Sequence, residues 1–186
     1  NLIKKIFLNI YSIHIYREIT DDLKKYIRVE DLCKLTNTVV PFLLPLDSEI
    51  EDEKKLFLKD KEGLEKQYGI FLSSILKNKV EGIHLCKAML LPTKLSKDKF
   101  EEFDKEKKVI LDGAIVEELD DYNLVTLDNP KYLNAEDDRT LLPLEAAIDL
   151  SIQSKKNNIC VLRGSTVKHP KYKDKKIFGA GINLTH

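Results

Sequence analysis

The sequence is sparing with cysteine, histidine and glycine, and its charges cancel. Three cysteines (Cys33, Cys86, Cys160) among 186 residues lie far apart, outside any metal-ligand or redox spacing. That excludes a disulfide framework and suits a reducing cytoplasm, with each thiol serving as a small apolar side chain. The four histidines (His14, His84, His169, His186) form no metal pattern, and neither HExxH nor CxxC occurs; no metal is expected. Basic and acidic residues number 31 each, which gives no electrostatic reason to bind nucleic acid or an anionic membrane. Long apolar runs are missing too. The N-terminal NLIKKIFLNIYSIHIYREI faintly resembles a signal peptide, but it lacks a small-residue cleavage site, and Asn9, Ser12 and His14 interrupt it. It is too short to span a membrane. Ile3, Ile6, Phe7, Ile10 and Ile13 follow helical spacing instead, as the packed face of an amphipathic helix would. Because the chain begins with Asn rather than Met, its natural start is expected to lie outside the sequence.

What is present is enough apolar material, 42% of residues, for a real core, in a length that fits one domain plus an appended segment. The pattern changes near residue 108. Up to there it is helical. VEDLCKLTNTV (29–39) reads as a helix stopped before Pro41, and PFLLPLD reads as a connector. The charged stretch from Ser48 to Leu91 carries glycines at 63, 69 and 82 that mark helix ends or tight contacts, and Pro92 closes it. SKDKFEEFDKEKK opens with Ser96 as its expected N-cap. After residue 108 come two short β-type runs, AIVEEL (114–119) and YNLVTLD (122–128), around an Asp-Asp turn. A helix follows in DRTLLPLEAAIDLSIQSKK (138–156), with Pro143 fixing its expected start near that residue. NNICVLRGS then supplies a buried-looking strand at 159–162. Strand, helix, strand in this order predicts a parallel β-α-β unit, so the fold class is mixed α/β. IFGAGIN, which holds two of the seven glycines, reads as a turn that lets the backbone approach a ligand closely, or as an ordinary glycine turn.

Four motifs carry a resemblance: LNAED (133–137), CVLRG (160–164), HPKY (169–172) and AGINLTH (180–186). Together with YNLVTLDNPKYLNAED and a helix ending in AAIDLSIQ, they resemble the opening half of the crotonase (enoyl-CoA hydratase/isomerase) superfamily fold. The similarity is closest to the cofactor-independent (3,5-dihydroxyphenyl)acetyl-CoA 1,2-dioxygenase branch. EGLEKQYGIFLSSIL (62–76) and GIHLCKAMLLPT (82–93) resemble that branch's N-terminal helical extension, and the similarity covers roughly residues 60–186. Asp128-Asn129-Pro130 departs from the Arg-Pro pair of many crotonases, and Gly179 stands where the branch usually has serine. The resemblance implies a helical extension over 1–108 and the first part of an acyl-CoA-binding domain over 109–186, the remainder lying outside this chain.

The implied chemistry is an acyl-CoA thioester that loses a proton beside its carbonyl, gathering negative charge on the thioester oxygen. The backbone N–H of Ile182 would stabilise that oxyanion, each such donor contributing a few kcal/mol in a dry site; the second donor would come from a later glycine beyond His186. Glu136 is implied to reach the substrate, by bonding aryl hydroxyls or assisting proton transfer, with capping of the next helix as the competing role; Asp137 is assigned to the cap. Ala135, His169, Tyr172, Ala180, Gly181, Asn183, Leu184 and Lys131 are implied to line the CoA and substrate site, although for His169, Lys171 and Tyr172 a solvated loop is the alternative. By the same resemblance no cofactor is needed, O2 is co-substrate, and an arylacetyl-CoA is oxidised to an arylglyoxylate and free CoA. A homo-oligomer is implied, a trimer or dimer of trimers. Hydration or isomerisation on the same scaffold, or a non-catalytic subunit, are the other readings.

Overall fold

A computed structural model describes residues 2–172, 175 and 177–183. It divides into two compact units, Asn1–Leu91 and Pro92–His186. The boundary expected at residue 108 therefore lies earlier. The segment that moves across it is a helix whose contacts are with the second unit.

The first unit holds five helices: α1 (Leu2–Ile19), α2 (Val29–Val39), α3 (Asp47–Lys54), α4 (Lys66–Leu76) and α5 (Lys79–Ala88). α2 has the bounds its sequence pattern predicts. α1 packs on α2 and α4, and α4 on α5, around Leu8, Ile15, Tyr16, Leu32, Phe71, Ile75 and Leu85. The α1 face expected to be packed is wrong in part. Ile3 is 82% exposed, and Ile6 and Ile10 are exposed too; the buried stripe is Leu8, Ser12, Ile15 and Tyr16. Ser12 can lie in it because its hydroxyl donates to the carbonyl of Leu8, one turn back on its own helix. Gly69 and Gly82 do not mark helix ends, since α4 and α5 run through them; Gly82 is instead the tight contact that was the other expectation, a Cβ there falling 2.9 Å from the Leu76 carbonyl. The Tyr16 hydroxyl shares a 2.7 Å hydrogen bond with His84 Nδ1 across this core.

The second unit begins with α6 (Lys94–Glu106), capped by Thr93, not Ser96: the Thr93 side chain accepts from the Ser96 N–H. Both the Thr93 N–H and the Ser96 hydroxyl also donate to Asp149 on α7, which ties α6 to this unit. β1 (Lys108–Leu111), β2 (Ala114–Glu118) and β3 (Asn123–Leu127) form an antiparallel meander, and α7 (Asp138–Gln153) crosses to β4 (Cys160–Gly164), parallel to β3. The parallel strand–helix–strand order is as predicted, while β1 was not. Ala146, Ala147 and Leu150 of α7 seat on Val109, Val116 and Val125 of the sheet. Apolar area removed from water there contributes roughly 25 cal/mol per Å2.

α7 does not wait for Pro143. It starts at Asp138, because Asp137 and Thr140 form a reciprocal capping box that satisfies the first free N–H groups; Pro143 then lies inside the helix and forgoes one hydrogen bond. β4 is not buried. Among the described residues it is an edge strand with β3 as its neighbour, and Val161 and Leu162 are exposed. Apolar composition marked it as a strand but could not reveal how many sides are covered. No helix among the described residues is long and apolar enough to cross a membrane.

Candidate active site

The carboxyl ends of β3 and β4 open into two loops, and a buried asparagine joins them. The chain leaving β3 turns through Leu133 and Asn134, both left-handed at φ 56°, a conformation asparagine tolerates better than most residues. Asn134 Nδ2 donates to the carbonyls of Ser165 (2.8 Å) and Ile177 (3.0 Å). Its Oδ1 accepts from the Asn129 N–H (3.1 Å) and the Ser165 hydroxyl (3.0 Å). Two donors and two lone pairs are the full capacity of the amide, and all are engaged. Gly164, at the end of β4, sits directly under the returning chain. A Cβ there would come within 2.2 Å of the Ile177 carbonyl and 2.4 Å of that of Phe178, so glycine is required by close approach rather than by its own φ.

The returning chain meets the β3 loop in a one-residue parallel bridge between Glu136 and Ile182. The Glu136 N–H donates to the Gly181 carbonyl (2.8 Å), and the Asn183 N–H donates to the Glu136 carbonyl (2.7 Å). In a parallel ladder these bonds engage the residues on either side of Ile182, so its own N–H turns the other way. Among the described residues that N–H has no acceptor, and the Ile182 side chain is exposed. Gly181 reaches the turn with φ +84°, where a side chain would be strained.

Glu136 and Asp137 are adjacent and divide their roles. Asp137 caps α7, its side chain accepting from the Arg139 N–H, as assigned. Its Oδ2 also accepts from Asn129 Nδ2 and Asn183 Nδ2, each at 3.1 Å. Burial by itself would raise this carboxyl, but the two amide donors, then the charge and N–H of Arg139, outweigh it and hold it below the ordinary aspartate range. Glu136 does not cap α7. It is half-buried, and its carboxylate has no hydrogen bond or ion pair among the described residues, which leaves it available to a ligand.

The remaining candidates gather in part. The Lys168 N–H donates to the Pro130 carbonyl, bringing the His169–Tyr172 loop beside the turn that carries Lys131. The rings of His169 and Tyr172 lie 5.2 Å apart, with Lys171 Nζ 5.1 Å from the Tyr172 ring; Lys131 lies as close to Tyr132. Ala135 is buried and Ala180 is exposed on the turn. Leu184 and His186 lie outside the described residues. Two open clefts, of about 410 and 470 Å3, share His14 and Glu18 of α1, with Asp21 and Asp22 beside the first and Thr38 and Val39 of α2 beside the second, and contain none of the candidates. Sequence reasoning gave Asn129, Asn134 and Ser165 no role. Asn134 stands inside LNAED, and an Asn followed by a small residue between a strand and a helix was the available signal.

No family model matches this chain. Over 178 residues, 96% of its length, the chain is 33% identical to the (3,5-dihydroxyphenyl)acetyl-CoA 1,2-dioxygenase of Amycolatopsis orientalis. It spans 41% of the length of that curated relative. The relative carries the name of the branch that the four motifs resemble.

Proposed function

We propose that this chain forms part of a cofactor-independent acyl-CoA dioxygenase of the crotonase superfamily, acting on an arylacetyl-CoA through an oxyanion-stabilised enolate. One observation carries the reading: the bridge holds Gly181 and Asn183 to Glu136 while leaving the Ile182 N–H and the Glu136 carboxylate unengaged among the described residues. A fixed N–H donor beside a free carboxylate is the pair that an enolate requires. Similarity to the dioxygenase of Amycolatopsis orientalis supports the substrate class.

In this reading the thioester oxygen sits against the Ile182 N–H. Glu136 takes the α-proton or bonds the aryl hydroxyls. The α-carbon of the enolate passes an electron to O2 and bonds to one of its oxygen atoms. The other oxygen bonds to the thioester carbon and displaces CoA thiolate as the C–S bond breaks. Loss of the second α-hydrogen as a proton accompanies cleavage of the O–O bond, giving the arylglyoxylate and CoA. Two oxygen atoms enter the acid, and the two α-hydrogens leave as protons. Ala135, Ala180, Gly181, Asn183 and Leu184 line the thioester arm, and Lys131, His169 and Tyr172 contact the nucleotide. The assembly is a homo-oligomer, a trimer or dimer of trimers, in the cytoplasm, and neither metal nor organic cofactor takes part.

The test is to mix the protein, in its full-length form, with (3,5-dihydroxyphenyl)acetyl-CoA in the presence of chelator and follow oxygen uptake and CoA release together. Equal uptake and release, lost in Glu136→Gln, is the expected result. Exchange of the α-proton with solvent and no oxygen uptake would reassign the site to hydratase or isomerase chemistry. Neither signal would overturn the enzymatic reading.

A further inference from the structure

Asp137 does more than cap a helix. A cap needs one oxygen, and the carboxylate gives the Arg139 N–H its Oδ1 at 3.2 Å. The second oxygen faces inward and receives two side-chain amides from different loops, Asn129 from the exit of β3 and Asn183 from the returning turn. Asn129 is itself held at three further points: its N–H by Asn134, its Nδ2 by the Ala135 carbonyl (2.7 Å), and its Oδ1 by Arg139 (2.9 Å). The turn that presents Ile182 is therefore bolted on one side by the Glu136 backbone and on the other by the Asp137 side chain, which stands on the first turn of a 16-residue helix.

We infer that Asp137 and Asn183 form a positioning clamp that sets the direction of the Ile182 N–H, so that the α7 N-terminus serves as the reference frame of the oxyanion donor. The catalytic part of this inference rests on the enolate reading above; the clamp itself does not. Neither residue touches the reacting atoms. A charge-assisted pair of amide bonds suits this task, because hydrogen bonds are directional where apolar packing is not. An oxyanion donor misaligned by a fraction of an ångström loses much of its effect. The lowered pKa of Asp137 agrees with a carboxylate kept charged by its two amide partners.

Substitution at position 183 leaves the cap untouched, so it separates the two roles. Asn183→Asp sets two carboxylates face to face. Asn183→Asp combined with Asp137→Asn reverses the polarity and restores a donor–acceptor pair between these two residues, while Asn129 Nδ2 loses its carboxylate acceptor and keeps the Ala135 carbonyl; Asn still caps α7 as well as Asp does. Backbone amide exchange at Glu136 and Asn183 reads the clamp without reference to activity. The expected result is exchange about tenfold faster in the single variant and in large part restored in the double variant, with the Thr140 and Leu141 amides of α7 unchanged throughout. Turnover of the aryl-CoA thioester should follow the same pattern in kcat with little change in KM, since the donor acts on charge that develops during reaction. Unchanged exchange in Asn183→Asp, or no recovery in the double variant, overturns the clamp. Faster exchange with unaltered kcat overturns its role in positioning. If the unsubstituted protein has no enolate chemistry at all, the proposed function fails, and the exchange data still decide whether the clamp exists.

Discussion

Buried polar side chains do different work in the two units. In the helical unit the buried hydroxyls bond one turn back along the chain: Ser12 to Leu8, Thr20 to Tyr16, Thr36 to Leu32 and Ser74 to Ile70. Glu53 and Arg28 bond instead to backbone groups far along the chain, and Glu81 and His84 to the side chains of Arg17 and Tyr16. In the sheet unit buried hydroxyls such as those of Thr93 and Thr140 serve at helix caps, while buried amides bridge distant segments. Asn123 donates to the Ser151 carbonyl, Asn157 to that of Leu119, and Asn134 to those of Ser165 and Ile177. A hydroxyl bonded within its helix satisfies only itself, and apolar packing fixes the unit. An amide between loops sets a distance that packing alone would leave loose. Chemistry that depends on tenths of an ångström belongs with the second arrangement.

The sharpest way to break this comparison is Asn134→Ala. It strands two carbonyls and an N–H in the interior and places alanine at φ 56°, so unfolding free energy in urea should fall by about 3 kcal/mol or more. A loss under about 1 kcal/mol would mean that the amide is not holding the loops. A smaller effect is expected from the cross-helix pair of the first unit. Burial first, and the Glu81 charge next, push the Tyr16 phenol up to about 12 from 10.0. Because the folded value is the higher one, this contribution is fully present below pH 10 and is lost as pH rises towards 12. Tyr16→Phe should remove that part of the alkaline decline, as followed by circular dichroism between those limits. Smallest of all should be Thr36→Val, which removes only a bond within α2: urea unfolding should move by less than about 1 kcal/mol. A larger loss would show that the local hydroxyls are structural after all.

Much of the fold could be read from the chain because the relevant forces are local. The 29–39 helix, the β2 and β3 runs and the parallel crossover follow from periodicity and turn residues, and the structure places them so. The errors share a cause. Ser12 is buried, β4 is exposed and α6 belongs to the sheet unit for reasons set by what lies alongside them, which no window of sequence contains. For the candidate site, the motifs pointed to Glu136, Asp137 and the 180–183 turn, and the structure brings these together. The bonds that hold them were not, because Asn129, Asn134 and Ser165 acquire meaning only when two loops meet. Pro143 misled in the opposite direction: a strong local signal lost to a stronger cap just upstream.

The Asp137–Asn183 bond joins residues 46 positions apart, and that separation has a consequence in time. Helical contacts in the first unit close short loops and form quickly, whereas this bond must await the whole α7 crossover. It also lies beside an exposed turn, where local opening is easier than global unfolding. The 180–183 turn is then the last piece to assemble and the first to let go. On warming, protection of the Asn183 amide should vanish while that of Phe71 persists, so the candidate site comes apart well before the helical core does.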